Sequence, residues 1–322
     1  GLFKDFVDTL TREAFAPDGG LFRETVEHTG IYPVPSLRDA ESLEGFRFLG
    51  AMLGKALYEG IMLDLPLAEF FLARLRGRPA ELNHLPSLDP ELYRSLLFLK
   101  RYDGDVRDLC LFFCIDVETE GGGTRSVELL PDGASIPVTR DNRLRYIHLI
   151  AAYRLNAQIR LQTAAFLEGF QELISPEWVK LFDERELLTI ISGDRTGGPI
   201  DVADLARCTV YSGGYTPDHP VVQNLWSVVS ELPPNEQRKF LKFVTACSNA
   251  PLLGFAKLEP NFCVHRAGVA GTEAGDETAD MTRLPTASTC MNLLKLPPFR
   301  DRETLREKLS YAINSAAGFD LS

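Results

Sequence analysis

Leu284-Pro285-Thr286-Ala287-Ser288-Thr289-Cys290-Met291-Asn292-Leu293-Leu294-Lys295-Leu296-Pro297 sets one cysteine behind a run of small, hydroxyl-bearing residues and closes on a proline. Pro285 fixes its own backbone and disfavours helix for the residue before it. Thr286, Ser288 and Thr289 suit a turn, which places Cys290 on an exposed loop. Beyond it, Met291, Leu293 and Lys295 alternate with Asn292, Leu294 and Leu296, the period of a short strand that Pro297 and Pro298 stop. A thiol on a constrained loop at a strand edge is where a nucleophile would be placed. Free cysteines in general are more often buried and inert.

The rest of the chain sets bounds. Its 322 residues correspond to about two domains, with room for a real core. Hydrophobic content of 45% and charged content of 25% are those of an ordinary globular protein rather than a disordered one. A formal net charge of −11 argues against general nucleic-acid binding, because neutralising phosphates needs a basic surface. Cys110, Cys114, Cys208, Cys247, Cys263 and Cys290 are irregularly spaced, which suits a reducing intracellular compartment, cytoplasmic or nuclear, better than a disulfide framework. No apolar run approaches the roughly 20 residues that cross a bilayer, so no membrane partner is expected. The text begins mid-pattern at Gly1, as an excised piece of something longer would.

Helical periodicity predicts helices over 3–15, 43–58, 67–75 and 90–102. In the second, Gly50 and Gly54 lie four apart, the mark of close helix packing. Leu109 to Val117 reads as a strand and Arg125 to Leu130 as its hairpin partner, with Cys110 and Cys114 as core positions on the first strand. The Gly121-Gly122-Gly123 run between them is not a phosphate loop, since no Gly-Lys-Ser/Thr ending follows. Asn142 to Ile174 reads as one long helix with a bend or break at Gly169. Ser175-Pro176 and the Asp183/Glu186 pair are helix-start signals. Ser192 to Pro199 is polar and glycine-rich and reads as a linker between two domains. After the turn at Tyr211-Ser212-Gly213-Gly214-Tyr215, a helix over 219–232 is followed by another capped by Asn235. Residues 252–258 and 261–265 look strand-like, Gly268 to Asp280 is a flexible acidic loop, and a last helix runs over 301–316 from an Asp301 cap.

The chemistry narrows by elimination. There is no G-x-S-x-G elbow and no H-E-x-x-H pattern among the five histidines, no metal site is expected, and acidic residues are scattered on helix faces. Cys290 remains, with two readings open. A hydrolase would need a base, for which His265 is nearest in sequence. A thioester relay would need less, because a thiol that attacks a thioester exchanges nearly equivalent bonds.

The stretch 284–297 resembles the active-site pattern L-P-x-[AS]-x-T-C-x-N-x-L-x-L-P of the HECT family of ubiquitin ligases. Gly1 to Phe6, Tyr58 to Pro66, Asn142-Arg143 with Tyr146, Tyr211 to Tyr215 and Leu241 to Thr245 are similar to family segments in the same order. The wording of the cysteine stretch and the ending Ala316-Ala317-Gly318-Phe319-Asp320-Leu321-Ser322 look closest to the proteasome-associated, chain-extending subgroup.

The resemblance implies an α+β, bilobal catalytic domain. A larger, mainly helical N-lobe over 1–192, with a small β-hairpin subdomain, would bind a ubiquitin-conjugating enzyme. Residues 193–199 would be a hinge, and 200–322 a smaller α/β C-lobe bearing the cysteine. Cys290 would accept ubiquitin, with Thr289 as its loop neighbour. Leu92, Leu96, Tyr102, Leu109, Tyr146 and Ile150 would line the conjugating-enzyme groove. Phe319 would support ligation, and Asp320 could orient the attacking lysine. The implied partners are ubiquitin, a conjugating enzyme, protein substrates and, for the subgroup, the proteasome; no cofactor is implied. Two departures stand out. Ser288 occupies a position where the family often has histidine, so no histidine-assisted role is assigned, and the domain usually begins earlier than Gly1. A catalytically silent module that only docks the conjugating enzyme is the competing reading.

Overall fold

A computed structural model of the chain describes residues 6–7, 9–10, 13–15, 20–119, 123–195, 197–267 and 283–318. The chain divides into two compact units, one of residues 10–58 and 65–188, the other of the described parts of 1–9, 59–64 and 189–322. The second unit thus takes in 59–64 and 189–192, which the sequence reading places in the N-lobe. Among the described residues no helix is long and apolar enough to cross a membrane.

The first unit is mostly helical. Asp39 opens α1 (Ala40–Tyr58) by accepting hydrogen bonds from the Ser42 amide and hydroxyl. These two bonds hold its carboxyl below the usual carboxylate range. Phe46, Leu49 and Leu53 form the buried stripe of α1. The glycines on that side meet backbone: a Cβ on Gly50 would lie 1.9 Å from the Phe166 carbonyl oxygen, and one on Gly54 2.9 Å from that of Phe170. The close packing read from their spacing is therefore present. Shorter helices α2 (Glu69–Leu75) and α3 (Pro90–Arg101) follow, the latter capped by Asp89, whose carboxylate accepts the Leu92 amide at 2.9 Å. Phe15, Phe22, Phe46, Phe71 and Phe166 form one aromatic cluster, with ring centroids 4.6–6.5 Å apart.

Two two-stranded sheets decorate this unit: β1 (Phe22–Glu24) with β2 (Ile31–Pro33), and the hairpin β3 (Cys114–Glu118) with β4 (Thr124–Glu128). The hairpin is as expected, but its first strand starts five residues late. Residues 106–109 form a 3-10 turn instead, and Cys110 follows with φ +51° and is exposed. Cys110 is therefore neither strand nor core.

The long helix is also divided differently. It comprises α4 (Arg143–Ala152), a π-helical segment Tyr153–Ala157, and α5 (Arg160–Phe170). The interruption lies at 153–159, not at Gly169, which stays helical because α1 passes there: a Cβ would meet the Arg47 carbonyl oxygen at 1.9 Å. At the π segment Asn156 turns toward Ala80, accepting its amide at 2.8 Å and donating to its carbonyl at 2.9 Å. Fully buried Gln162 donates to the Val34, Pro35 and Leu37 carbonyls. Ser175 caps the short α6 (Pro176–Val179) through the Glu177 amide, and Asp183 and Glu186 make the reciprocal capping box that opens α7 (Glu184–Ser192).

The second unit is a four-stranded sheet in the order β5 (Val210–Ser212), β6 (Cys263–Arg266), β8 (Leu293–Leu296), β7 (Thr286–Ser288). The first three run parallel and β7 is antiparallel to β8. Helices α8 (Val202–Cys208), α9 (Pro220–Glu231), α10 (Pro234–Thr245) and α11 (Arg302–Gly318) supply its core. Leu205, Val222, Leu225, Phe240, Val244, Leu305 and Leu309 are buried together with sheet residues Val264, Leu294 and Leu296. Each such side chain contributes about 1.5–3 kcal/mol. Pro233, not Asn235, is the N-cap of α10, and proline at the next position starts the helix with a preset φ. Residues 252–258 are turns and a 3-10 helix (Phe255–Lys257) rather than strand. Asp301 caps α11 as expected, accepting the Thr304 amide at 2.8 Å and its hydroxyl at 2.9 Å. The 268–280 loop lies outside the described residues.

Candidate active site

The cysteine stretch is more regular than its composition suggests. Thr286 to Ser288, read as turn residues, form β7, paired with β8 in the register Thr286–Lys295, Ala287–Leu294, Ser288–Leu293. The intervening Thr289–Met291 is a single 3-10 turn with Cys290 at its centre. Cys290 is a free, half-buried thiol between half-buried Thr289 and exposed Met291. Ser288 Oγ lies 3.3 Å from Cys290 Sγ.

Asn292 holds this turn. Its backbone is left-handed, φ +46°, a conformation that asparagine tolerates better than most residues, and its side chain is fully buried. Its amide donates to the Thr289 carbonyl at 3.2 Å, its carbonyl accepts the Cys263 amide at 2.9 Å, and its Nδ2 donates to the Pro260 carbonyl. The reactive turn is thus tied to the start of β6 as well as to β8. In the sequence reading Asn292 is only one position of an alternating strand, and its left-handed conformation has no local signal there.

The glycine turn after β5 serves the same sheet. Gly213 has φ +70°, and a Cβ would lie 2.9 Å from the His265 ring. Ser212 Oγ is 2.9 Å from His265 Nδ1, and the buried Tyr215 hydroxyl donates to the Leu296 carbonyl at 3.1 Å. His265 therefore faces Ser212. Among the described residues no histidine hydrogen-bonds Cys290, so the base that a hydrolase would need is not in place.

Two of the other thiols are less suited to attack. Burial, with the Asp204 carboxylate adding to it, pushes the Cys208 thiol up, and Cys247 is buried against the Ser192 carbonyl. Among the described residues, no group of three or more histidine, cysteine or acidic side chains is placed to hold a metal ion.

The residues expected to line a docking groove lie in the first unit and divide by exposure. Leu96, Tyr146 and Ile150 are buried; Leu92, Tyr102 and Leu109 are half-buried. Tyr146 stacks edge-on against Phe113, at 5.5 Å between ring centroids, and burial pushes its phenol up, with Cys114 adding to the effect. The exposed apolar side chains nearby in sequence are Phe98, Phe112 and Leu144, none of them in the expected set. Phe98 is 61% exposed and packs on Tyr102, at 5.4 Å between centroids. Arg143 joins α4 to the end of α3 by donating to the Tyr102 carbonyl at 2.6 Å. Phe319 and Asp320 lie outside the described residues.

Comparison with known proteins identifies the family. The HECT-domain (ubiquitin-transferase) family matches residues 8–322. The E3 ubiquitin-protein ligase UPL6 of Arabidopsis thaliana is 50% identical over all of this chain and 31% of its own length. Ubiquitin-protein ligase E3B of Homo sapiens is 43% identical over all of this chain and 32% of its own length. For the E3 ubiquitin-protein ligase HUL5 of Saccharomyces cerevisiae the figures are 40%, all of this chain and 34%. The chain thus spans about a third of the length of these relatives. With a match over nearly its whole length and the cysteine turn built as described, the chain belongs to the HECT-domain (ubiquitin-transferase) family.

Proposed function

We propose that the chain accepts ubiquitin from a charged conjugating enzyme as a thioester on Cys290 and transfers it to a lysine of a protein substrate or of another ubiquitin. The observation that carries this is the Cys290 turn: a free thiol, partly accessible, held at a fixed point by Asn292, with no histidine base bonded to it. Such a site suits thioester exchange. A thiolate that displaces another thiolate needs no strong base, whereas hydrolysis needs an activated water.

In this reading the lobes are 1–192 and 200–322, with 193–199 as the hinge; Gly193 and Gly197 in left-handed conformations, φ +73° and +89°, support a tight, glycine-dependent linker. The conjugating enzyme docks on the first lobe. Half-buried Leu92, Tyr102 and Leu109, extended by exposed Phe98, Phe112 and Leu144, offer the apolar anchors, and Leu96, Tyr146 and Ile150 support them from beneath. Thr289 flanks the acceptor. Phe319 supports ligation and Asp320 orients the incoming amine, roles carried by the resemblance alone. Protein substrates and a proteasome partner belong to the same reading.

A charging assay on non-reducing gels tests it. Incubation with the activating enzyme, a conjugating enzyme and ubiquitin is expected to give an adduct that thiol reductant removes and Cys290→Ala abolishes. An adduct that survives Cys290→Ala would overturn the acceptor assignment. Docking at full affinity with no adduct on the unaltered chain would favour the silent docking module instead.

A further inference from the structure

The Cys290 sulfur has one hydrogen-bonding side chain beside it among the described residues, and that side chain is Ser288, whose Oγ lies 3.3 Å from Sγ. The backbone on both sides of the pair is fixed. Ser288 is the last residue of β7, fixed opposite Leu293, and Asn292 holds the far end of the turn. Both side chains are half-buried, which weakens competition from water.

Resting on the acceptor role of Cys290 just given, we propose that the Ser288 hydroxyl is the hydrogen-bond donor that carries the negative charge of the Cys290 sulfur whenever that sulfur is free or leaving. In loading, the Cys290 thiolate adds to the carbonyl carbon of the ubiquitin thioester. The new C–S bond forms, the donor's C–S bond breaks, and its electron pair departs on the donor sulfur. Charge leaves Cys290 and the Ser288 bond weakens. During discharge a lysine nitrogen attacks the same carbon, the C–N bond forms, and the Cys290 C–S bond breaks. Its electron pair returns to Sγ, to which the Ser288 O–H donates its hydrogen bond; the surplus amine proton goes to solvent. Ser288 keeps its own proton throughout.

This role affects the two half-reactions unequally. In loading the donor steadies the attacking sulfur but also lowers its nucleophilicity, so the two effects offset and loading changes little. As a leaving group the stabilised sulfur gains fully. A merely structural role for Ser288 would slow both steps alike.

The experiment compares the unaltered chain with Ser288→Ala, Ser288→Thr and Cys290→Ala. Single-turnover loading from a charged conjugating enzyme and single-turnover discharge to free lysine are measured separately. Iodoacetamide labelling of each variant is read by mass spectrometry, with the buried Cys247, protected only while the fold is intact, as internal reference for folding. For Ser288→Ala, discharge is expected to fall about three- to tenfold, the loss of one hydrogen bond to a charged, partly exposed acceptor. Loading should fall by less, and Ser288→Thr should restore both. Discharge by Ser288→Ala at the unaltered rate overturns the inference. So does an equal fall of both steps, or a threonine variant as slow as alanine. An adduct on Cys290→Ala would instead sink the acceptor assignment itself.

Discussion

The seam between α1 and α5 and the turn around Cys290 both depend on close backbone approach, and they achieve it in opposite ways. In the seam, side chains are absent: Gly50 and Gly169 let each helix touch a carbonyl of the other. In the turn, one side chain is indispensable: Asn292 satisfies a carbonyl of the neighbouring segment while holding a left-handed backbone. One site tolerates no added atom, the other no lost one. The seam belongs to a scaffold buried on that side. The turn sits at the edge of a sheet whose buried face is Val264, Leu294 and Leu296 and whose Thr286 and Lys295 stay exposed.

Substitutions that break each half should differ in kind as well as size. Gly50→Ala or Gly169→Ala adds one methyl group against backbone and should destabilise by about 3 kcal/mol or more, because a carbonyl cannot swing aside as a side-chain tip can. Urea denaturation of the chain measures it; a loss under about 1 kcal/mol would mean the helices slide apart easily. Tyr146→Ala serves as a control for ordinary core packing, with an expected loss of about 3 kcal/mol. Phe98→Ala should cost under about 0.5 kcal/mol in stability while weakening conjugating-enzyme binding in a titration. The reverse pattern would return Tyr146 to the docking surface.

Asn292→Ala should cost about 2 kcal/mol by adding backbone strain to a lost hydrogen bond. Asn292→Gly keeps the left-handed backbone and should cost about 1 kcal/mol. Equal losses for the two would show that the amide bond matters and the conformation does not. Both variants should also slow adduct formation, since the turn that aims the thiol would loosen.

The smallest effect is expected at Asp301. Its carboxyl is held below the usual range by the Thr304 amide and then the Thr304 hydroxyl. The folded state therefore binds that proton less readily than the unfolded chain. Its contribution is complete above the unfolded value, about pH 4, and is lost as pH falls through the lower folded value. Asp301→Ala should lower the melting temperature at neutral pH, and the gap to the unaltered chain should shrink under acid. A constant gap would show that the cap acts only by helix propensity.

What was legible from the sequence follows the range of the interactions. The Asp183/Glu186 box, the Ser175-Pro176 start and the Asp301 cap are local patterns closed within a few residues, and the structure shows each of them. Gly50 and Gly54 signalled close packing through their spacing, though not which helix would come near. β7 has no local signal, because Thr286 and Ser288 suit a turn by composition and become strand only by pairing with β8. The Ser288–Cys290 proximity was invisible for the same reason. The π segment could not be foreseen either, since it exists to point Asn156 at Ala80, 76 residues away in sequence. Leu96, Tyr146 and Ile150, which the resemblance implies for a docking groove, are buried whereas Phe98 is exposed, a division set by tertiary packing that no local pattern encodes.

The short stretch 59–64 has a practical consequence for anyone who would dissect this chain. It is flanked on both sides by sequence of the first unit, yet it is built into the second: the Leu63 amide bonds the Ile191 carbonyl at 2.8 Å, and Asp64 accepts the Ser248 hydroxyl at 3.0 Å. The 192–200 stretch is fastened likewise, through Asn249 to the Ser192 carbonyl, Arg238 to that of Gly198 and Gln237 to the Ile200 amide. A single cut near residue 190 therefore does not yield two self-sufficient fragments. The C-terminal piece would lack 59–64 as well as the described part of 1–9, so both segments have to be supplied, as peptides or spliced ahead of residue 189, to complete that unit.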